Sequence, residues 1–157
     1  MSQVSFRPIT DDDLPFLSRV YAETRQEELA PVPWSDAEKQ AFLQMQFEAQ
    51  HHHYQEHFAD AQFDLILIDG QPGGRLYVQH RPDEIRIIDL ALLIEHRGQG
   101  IGTQLMQDVL AQGQERGLPV RIHVEKNNPA LRLHQRLGFQ SIEDQGVYYL
   151  MEWLPEG

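Results

Sequence analysis

The chain has 157 residues, which suits one domain spanning residues 1–157. Its 13 basic and 24 acidic side chains leave a formal charge of −11 with histidine neutral, and it contains no cysteine. A nucleic-acid groove or an anionic membrane surface needs the opposite surplus, and disulfides, zinc–thiolate sites and cysteine nucleophiles are excluded. A cationic or amine partner suits this field better. Met1-Ser2-Gln3-Val4-Ser5 shows neither the basic nor the apolar stretch of a secretory leader, so a cytoplasmic location is expected. The longest apolar runs, 65–68 and 90–94, are too short to span a bilayer.

Val4-Ser5-Phe6 alternates as a short opening strand. Thr10 starts a helix with Asp11, Asp12 and Asp13 in its first turn, where the helix dipole favours anions, and with Leu14, Leu17 and Val20 as its apolar stripe. Pro31 and Pro33 break the chain. Ser35 and Glu38 form a capping box that opens a second helix, along which Phe42, Met45 and Ala49 repeat as an inner face. The pattern then turns to strands: Phe63–Ile68, a turn over Asp69–Gly74, a return over Arg75–Gln79, and a long run over Ile85–Ile94. That run is apolar from Ile87 onward except for Asp89, as in a central strand covered on both faces. Ile101–Arg116 is the clearest helix, with Ile101, Leu105, Met106, Val109 and Leu110 on one face and Gly117 as its stop. Strand Val120–Val124 follows, then a short helix capped by Asn128 and Pro129 and ended by Gly138-Phe139. A last hairpin runs from Gln140 through Glu143–Gly146 to Trp153. The order β-α-α-β-β-β-α-β-α-β-β predicts an α/β domain with a mixed sheet, parallel where Ile85–Ile94 crosses over to Val120–Val124.

Arg97-Gly98-Gln99-Gly100-Ile101-Gly102 lies between the long strand and the clearest helix. Glycines let backbone approach a ligand closely, free N–H groups at a helix start bind phosphate oxygens, and Arg97 adds charge. One glycine would serve a plain strand-to-helix turn, so three at alternate positions favour a phosphate cradle. A P-loop needs Lys-Ser/Thr after its last glycine, but Thr103-Gln104 follows here. The dinucleotide fingerprint needs a different spacing and a preceding parallel array.

These residues resemble the acetyl-CoA pyrophosphate motif R-x-x-G-x-G of the GNAT superfamily of N-acetyltransferases. Asn128-Pro129-Ala130-Leu131-Arg132-Leu133-His134-Gln135-Arg136-Leu137-Gly138-Phe139 is similar to the same superfamily's N-x-A-x-x-L-Y-x-x-x-G-F segment, with His134 in place of tyrosine. Residues 1–60, where such enzymes commonly shape the acceptor pocket, match in element order only. The resemblance implies a GNAT-like fold: a central mixed sheet with flanking helices and a splayed parallel strand pair. It implies acetyl-CoA as co-substrate, no metal, and an amine acceptor that is a small molecule or a peptide. It leaves room for a homodimer. Leu90, Ala91 and Leu92 match the positions whose backbone bonds the pantetheine arm. Arg97, Gly98, Gln99, Gly100, Ile101, Gly102 and Thr103 match the pyrophosphate loop, and either Asn127 or Asn128 matches the asparagine that meets the arm; Asn128 also reads as a plain helix cap.

Acetyl transfer to an amine needs a neutral nitrogen nucleophile and a proton for the leaving thiolate. The resemblance puts His134 where relatives place the tyrosine acid, although its place on the apolar stripe also fits a core histidine. His123, on strand Val120–Val124, stands where some relatives place a glutamate base, and equally reads as a packed or surface strand residue. Asp89 reads as structural. Tyr148 and Tyr149 on the last hairpin are alternative sources of a phenol. Among His51, His52, His53 and His57, helical spacing puts only His53 and His57 on one face, which favours a solvated face over a metal site. The leading reading is an acetyl-CoA-dependent N-acetyltransferase. The missing tyrosine keeps a non-catalytic acyl-CoA sensor as the alternative, and the acidic surface an interaction module.

Overall fold

A computed structural model describes residues 2–157. Seven strands, β1 (Val4–Pro8), β2 (Gln62–Ile68), β3 (Gln71–His80), β4 (Ile85–Leu92), β5 (Val120–Glu125), β6 (Gln140–Gln145) and β7 (Tyr148–Trp153), form one sheet in the order β1-β2-β3-β4-β5-β7-β6. Four helices, α1 (Leu14–Leu29), α2 (Asp36–His57), α3 (Ile101–Arg116) and α4 (Leu131–Arg136), complete a mixed α/β fold. The β4–β5 pair is parallel, in the register Ile85↔Val120, Arg86↔Arg121, Ile87↔Ile122. The chain divides into two compact units: residues up to 76 with 90–97, and residues 77–89 with 98–157.

In the first unit β1 runs antiparallel to β2, from Val4↔Ile68 to Pro8↔Asp64. Arg7 grips both carboxylate oxygens of Asp13 at 2.8 Å. These bonds, with that from the Thr10 N–H, hold Asp13 down to a pKa of about 2. The expected helix after Thr10 therefore opens as a 3₁₀ turn over Asp11–Asp13 before α1 begins. The Ser35–Glu38 capping box forms as expected. Leu17, Tyr21, Phe47 and Leu65 make the core, with Leu43 packed against it. The Phe42–Met45–Ala49 stripe does not face that core, since Met45 is 60% exposed and Ala49 is exposed. The inward face of α2 runs through Leu43 and Phe47 and is partly polar: Gln46 accepts from the Tyr21 hydroxyl, and Gln50 from Arg75. Hydrophobic spacing misreads a helix that turns glutamines inward.

The expected turn over Asp69–Gly74 is shorter than its composition suggests. Asp69 and Gly70 alone take positive φ, at 51° and 81°, and Gln71–Gly74 already belong to β3. Gly74 is glycine for closeness: a Cβ there would collide with the Ala91 carbonyl oxygen and lie 3.1 Å from the Leu92 Cα.

In the second unit Ile101, Leu105, Met106, Val109 and Leu110 are buried along α3. Gly117, at φ 67°, ends the helix while Leu118 N–H reaches Gly113 O at 2.9 Å, a Schellman closure. Val120, Ile122 and Val124 of β5 are buried; Arg121 and His123 alternate with them on the other face. There Glu84, 4% exposed, bonds Arg86 at 2.8 Å and Arg121 at 2.9 Å, and Arg121 also holds Glu152 at 2.8 Å. The last hairpin turns later than expected, at Gly146-Val147, with Glu143–Gln145 still paired to β7. The short helix also starts later. Asn128 and Ala130 make a turn through Asn128 Oδ1, and α4 proper begins at Leu131.

Candidate functional site

The end of β4 is tied down from several sides within the first unit. Ala91 and Leu92 are buried and Leu90 is half-buried. Leu93 N–H donates to Gly73 O at 2.9 Å. A 3₁₀ turn over Ile94–His96 follows, and the Glu23 carboxylate of α1 accepts from the Ile94 N–H at 2.7 Å. Arg19 steadies Glu23 at 3.1 Å and reaches Glu95 at 3.4 Å. Arg97 Nε donates to Leu92 O at 3.0 Å, so its guanidinium closes the turn before the glycines begin.

Gly98 and Gly100 take left-handed φ of 73° and 83°, which L side chains adopt at a cost. A Cβ on either would meet nothing within 4 Å, so the backbone here stands open. Gly100 is the N-cap of α3, and the first intrahelical bond runs from Gln104 N–H to Gly100 O at 3.0 Å. The N–H groups of Ile101, Gly102 and Thr103 therefore precede any intrahelical acceptor, as at every helix start. Gly102 differs from the other two glycines in lying inside the first turn with helical backbone. An open, left-handed loop feeding main-chain donors fits a diphosphate, and the fit comes from backbone.

Asn127 and Asn128 are both exposed. Asn128 Oδ1 accepts from the Ala130 N–H at 2.9 Å, whereas the Asn127 side chain makes no hydrogen bond among the described residues. His134 is 6% exposed, edge-on to Phe139 at 5.6 Å, and its Nδ1 is buried without a hydrogen-bond partner among the described residues. Burial pulls its pKa below the ordinary imidazole value, so the ring is neutral at neutral pH. His123 is also held below the ordinary value, by desolvation and Arg86, against Gln145, Glu143 and Glu84. It is exposed, opposite Leu150 in β7. Tyr149 is half-buried with Lys126 Nζ 4.9 Å above its ring, and Tyr148 is 42% exposed.

Residues 18–139 match the sequence model of the Acetyltransferase (GNAT) family. The chain belongs to this family. Solved structures share its fold. The N-acetyltransferase PaiA from Thermoplasma acidophilum, in complex with coenzyme A, superposes with a TM-score of 0.72 at 17% identity, over 97% of this chain and 99% of that one. An acetyltransferase from Thermus thermophilus gives 0.65 at 20%, over 96% and 95%. A chain from Corynebacterium glutamicum, described as histone acetyltransferase HPA2 and related acetyltransferase, gives 0.65 at 20%, over 100% and 98%. A search of curated protein sequences found no match.

The GNAT match spans the glycine turn and the segment ending at Phe139, and leaves the β6–β7 hairpin outside. By family this GNAT chain is an acetyltransferase. On α2 the rings of His53 and His57 stack at 4.2 Å, and among the described residues no group of three or more His, Asp or Glu is placed to hold a metal ion. Sequence reading missed the Glu23 clasp on Ile94 and the closeness of Gly74 to β4. The spacing of Arg19 and Glu23, four residues apart on a helix, hinted at their ion pair but not at its target.

Proposed function

We propose that this GNAT chain transfers the acetyl group of acetyl-CoA to a primary amine of a small molecule or peptide, by direct attack, in the cytoplasm. The open left-handed turn at Gly98 and Gly100, leading into the first N–H groups of α3, carries this reading. In it, Arg97, Gly98, Gln99, Gly100, Ile101, Gly102 and Thr103 hold the pyrophosphate, chiefly through backbone. Leu90, Ala91 and Leu92 offer main-chain groups to the pantetheine arm. Of the two asparagines, Asn127 is the one whose side chain is uncommitted, and it meets the arm.

Acetyl-CoA supplies an activated thioester. The acceptor nitrogen loses one proton on acylation and the departing sulfur gains one, so the site must take a proton and give one. His123 is neutral at neutral pH and accepts from the amine. His134 serves the sulfur, its buried Nδ1 having no hydrogen-bond partner among the described residues. As imidazolium, His134 gives the sulfur its proton and returns to the neutral ring. Because burial disfavours the imidazolium, this delivery is strongest at mildly acidic pH. At neutral pH the neutral ring donates a hydrogen bond to the leaving thiolate, which takes its proton from solvent.

The test is release of free CoA thiol from acetyl-CoA across a panel of small amines and peptide amines. Amine-dependent release with a matching acetylated product is expected. Tight acetyl-CoA binding without release for any amine would contradict transfer and leave the sensor.

A further inference from the structure

Among the described residues the buried carboxylates are those of Asp13, Asp64 and Glu84. Two of them have their cations. Arg7 closes on Asp13, and Arg81, Arg86 and Arg121 converge on Glu84. Asp64, 7% exposed in β2, has no cation among the described residues. Its Oδ2 accepts a hydrogen bond from Gln62 Nε2 at 2.7 Å. Its Oδ1 has no partner among the described residues and is not sealed from solvent. Burial pushes this carboxyl above its ordinary value, against the pull of the Gln62 bond. With Phe6, Pro8 and Gln55, Asp64 lines a hollow of about 510 Å³ within the first unit. Pro8 stands opposite Asp64 in the β1–β2 register and Phe6 on the diagonal, so the exposed Phe6 ring shares a face with the carboxylate. Gln55, in the last turn of α2, is exposed.

A buried carboxylate without a cation is unfavourable, and a cationic ligand relieves it. The chain's charge of −11 draws cations in the same sense. Arg7 also borders the hollow, but Asp13 already neutralises it. The ligand's shape follows from which oxygen is open. A guanidinium fork matches two carboxylate oxygens at once, and here Oδ2 is taken by Gln62. An ammonium is a point donor that can divide its N–H groups between Oδ1 and an amide oxygen such as that of Gln55. A hard metal ion takes about six or more oxygens, far beyond one open carboxylate oxygen. An aromatic ring beside the carboxylate suits an organic cation on an alkyl chain. We propose that this hollow binds a primary alkyl ammonium group at Asp64, from a free amine or from a lysine side chain. The site is independent of the acetyl-transfer reading. Asp64 lies near the start of β2, whereas Ile68 at its other end lies against Gly73, which meets the chain just after β4.

Titrating n-butylammonium chloride into the full chain, followed by amide NMR, tests this. The parent is expected to show saturable shifts at the amides of Phe6, Gln55, Phe63 and Asp64. Asp64→Asn keeps the side chain's shape and should weaken the binding by about ten-fold or more, the loss of a charge-assisted bond. Phe6→Ala removes an exposed ring and should weaken it by about two- to five-fold. n-Butylguanidinium should bind the parent less tightly than n-butylammonium. The peptide acetyl-Gly-Lys-Gly-amide separates the two sources of the same group: tighter binding than n-butylammonium assigns a lysine side chain, weaker binding a free amine, and both support the proposal. No saturable shift at these amides, shifts confined to residues elsewhere, equal affinity in Asp64→Asn, or tighter binding of n-butylguanidinium would overturn it. Should Asp64→Asn not fold, Phe6→Ala and the guanidinium comparison in the parent decide instead.

Discussion

The Nε of Arg97 donates to the carbonyl oxygen of Leu92 across 3.0 Å. The bond folds the chain back at the end of β4. Arg97 is otherwise exposed.

Arg97→Ala should therefore weaken CoA binding by about ten-fold or more, the loss of a charge-assisted contact plus a loosened turn. Arg97→Lys should recover only part, because an ammonium lacks the fork that serves a carbonyl and a phosphate together. Calorimetry on the three proteins gives the order directly.

His134→Phe separates catalysis from packing. Phenylalanine keeps the contact with Phe139 and removes a buried nitrogen that has no partner, so the melting temperature should hold or rise. Turnover should fall by about 10²–10⁴-fold if the ring serves the leaving sulfur. His134→Tyr, the family residue, should keep or restore activity. Parental kcat in a folded His134→Phe protein would end the assignment and turn attention to Tyr148 and Tyr149.

Acid should act on this fold in two stages. His51, His80, His123 and His134 all have pKa values lowered in the folded protein, chiefly by burial. The folded state thus binds fewer protons than the unfolded chain, so their stabilisation is complete above about pH 6.5 and declines as pH falls below it. Asp13 acts later: its contribution stands above about 3.8 and is lost as pH approaches about 2. Melting temperatures against pH should show both steps. Asp13→Asn should remove the lower one, and its difference from the parent should vanish near the lower limit.

Glu84 holds the charged face of β4 and β5 together. Burial opposes its ionisation, but Arg86, Arg121 and Arg81 prevail and keep it below the usual carboxylate range. Glu84→Gln leaves those guanidiniums without their shared acid. Unfolding free energy should drop by about 2 kcal/mol or more, below the full cost of a deeply buried pair because Arg121 and Arg81 remain partly in water. Denaturant titration measures it, and a loss within about 0.5 kcal/mol would mean that the network is ornamental to stability.

The fold was legible where periodicity and caps speak locally. The Ser35–Glu38 box, the bounds Ile101–Arg116 and the order of the elements could all be read in this way. It was not legible where a residue answers to something distant. Gly73-Gly74 has the composition of a turn, yet it lies in β3 because β4 backbone passes too near for a Cβ at Gly74. Gln46 and Gln50 face inward because Tyr21 and Arg75 are there to meet them. Of the site, the glycine turn carried its own signature. The commitment of Asn128 to Ala130, and the unpartnered state of His134 Nδ1, depend on packing that no spacing encodes.

The most direct test of the account is a CoA titration of the Gly100→Asp variant beside the parent. At φ 83° an aspartate costs about 1–2 kcal/mol of backbone strain, but it meets no atom within 4 Å, so the protein should still fold with a modestly lower melting temperature. Its carboxylate, by contrast, would stand where, on the proposed reading, the pyrophosphate approaches. The account predicts tight CoA binding by the parent and a dissociation constant raised by about a hundred-fold or more in the variant, well beyond what strain alone explains. An unchanged dissociation constant in a folded variant would contradict it.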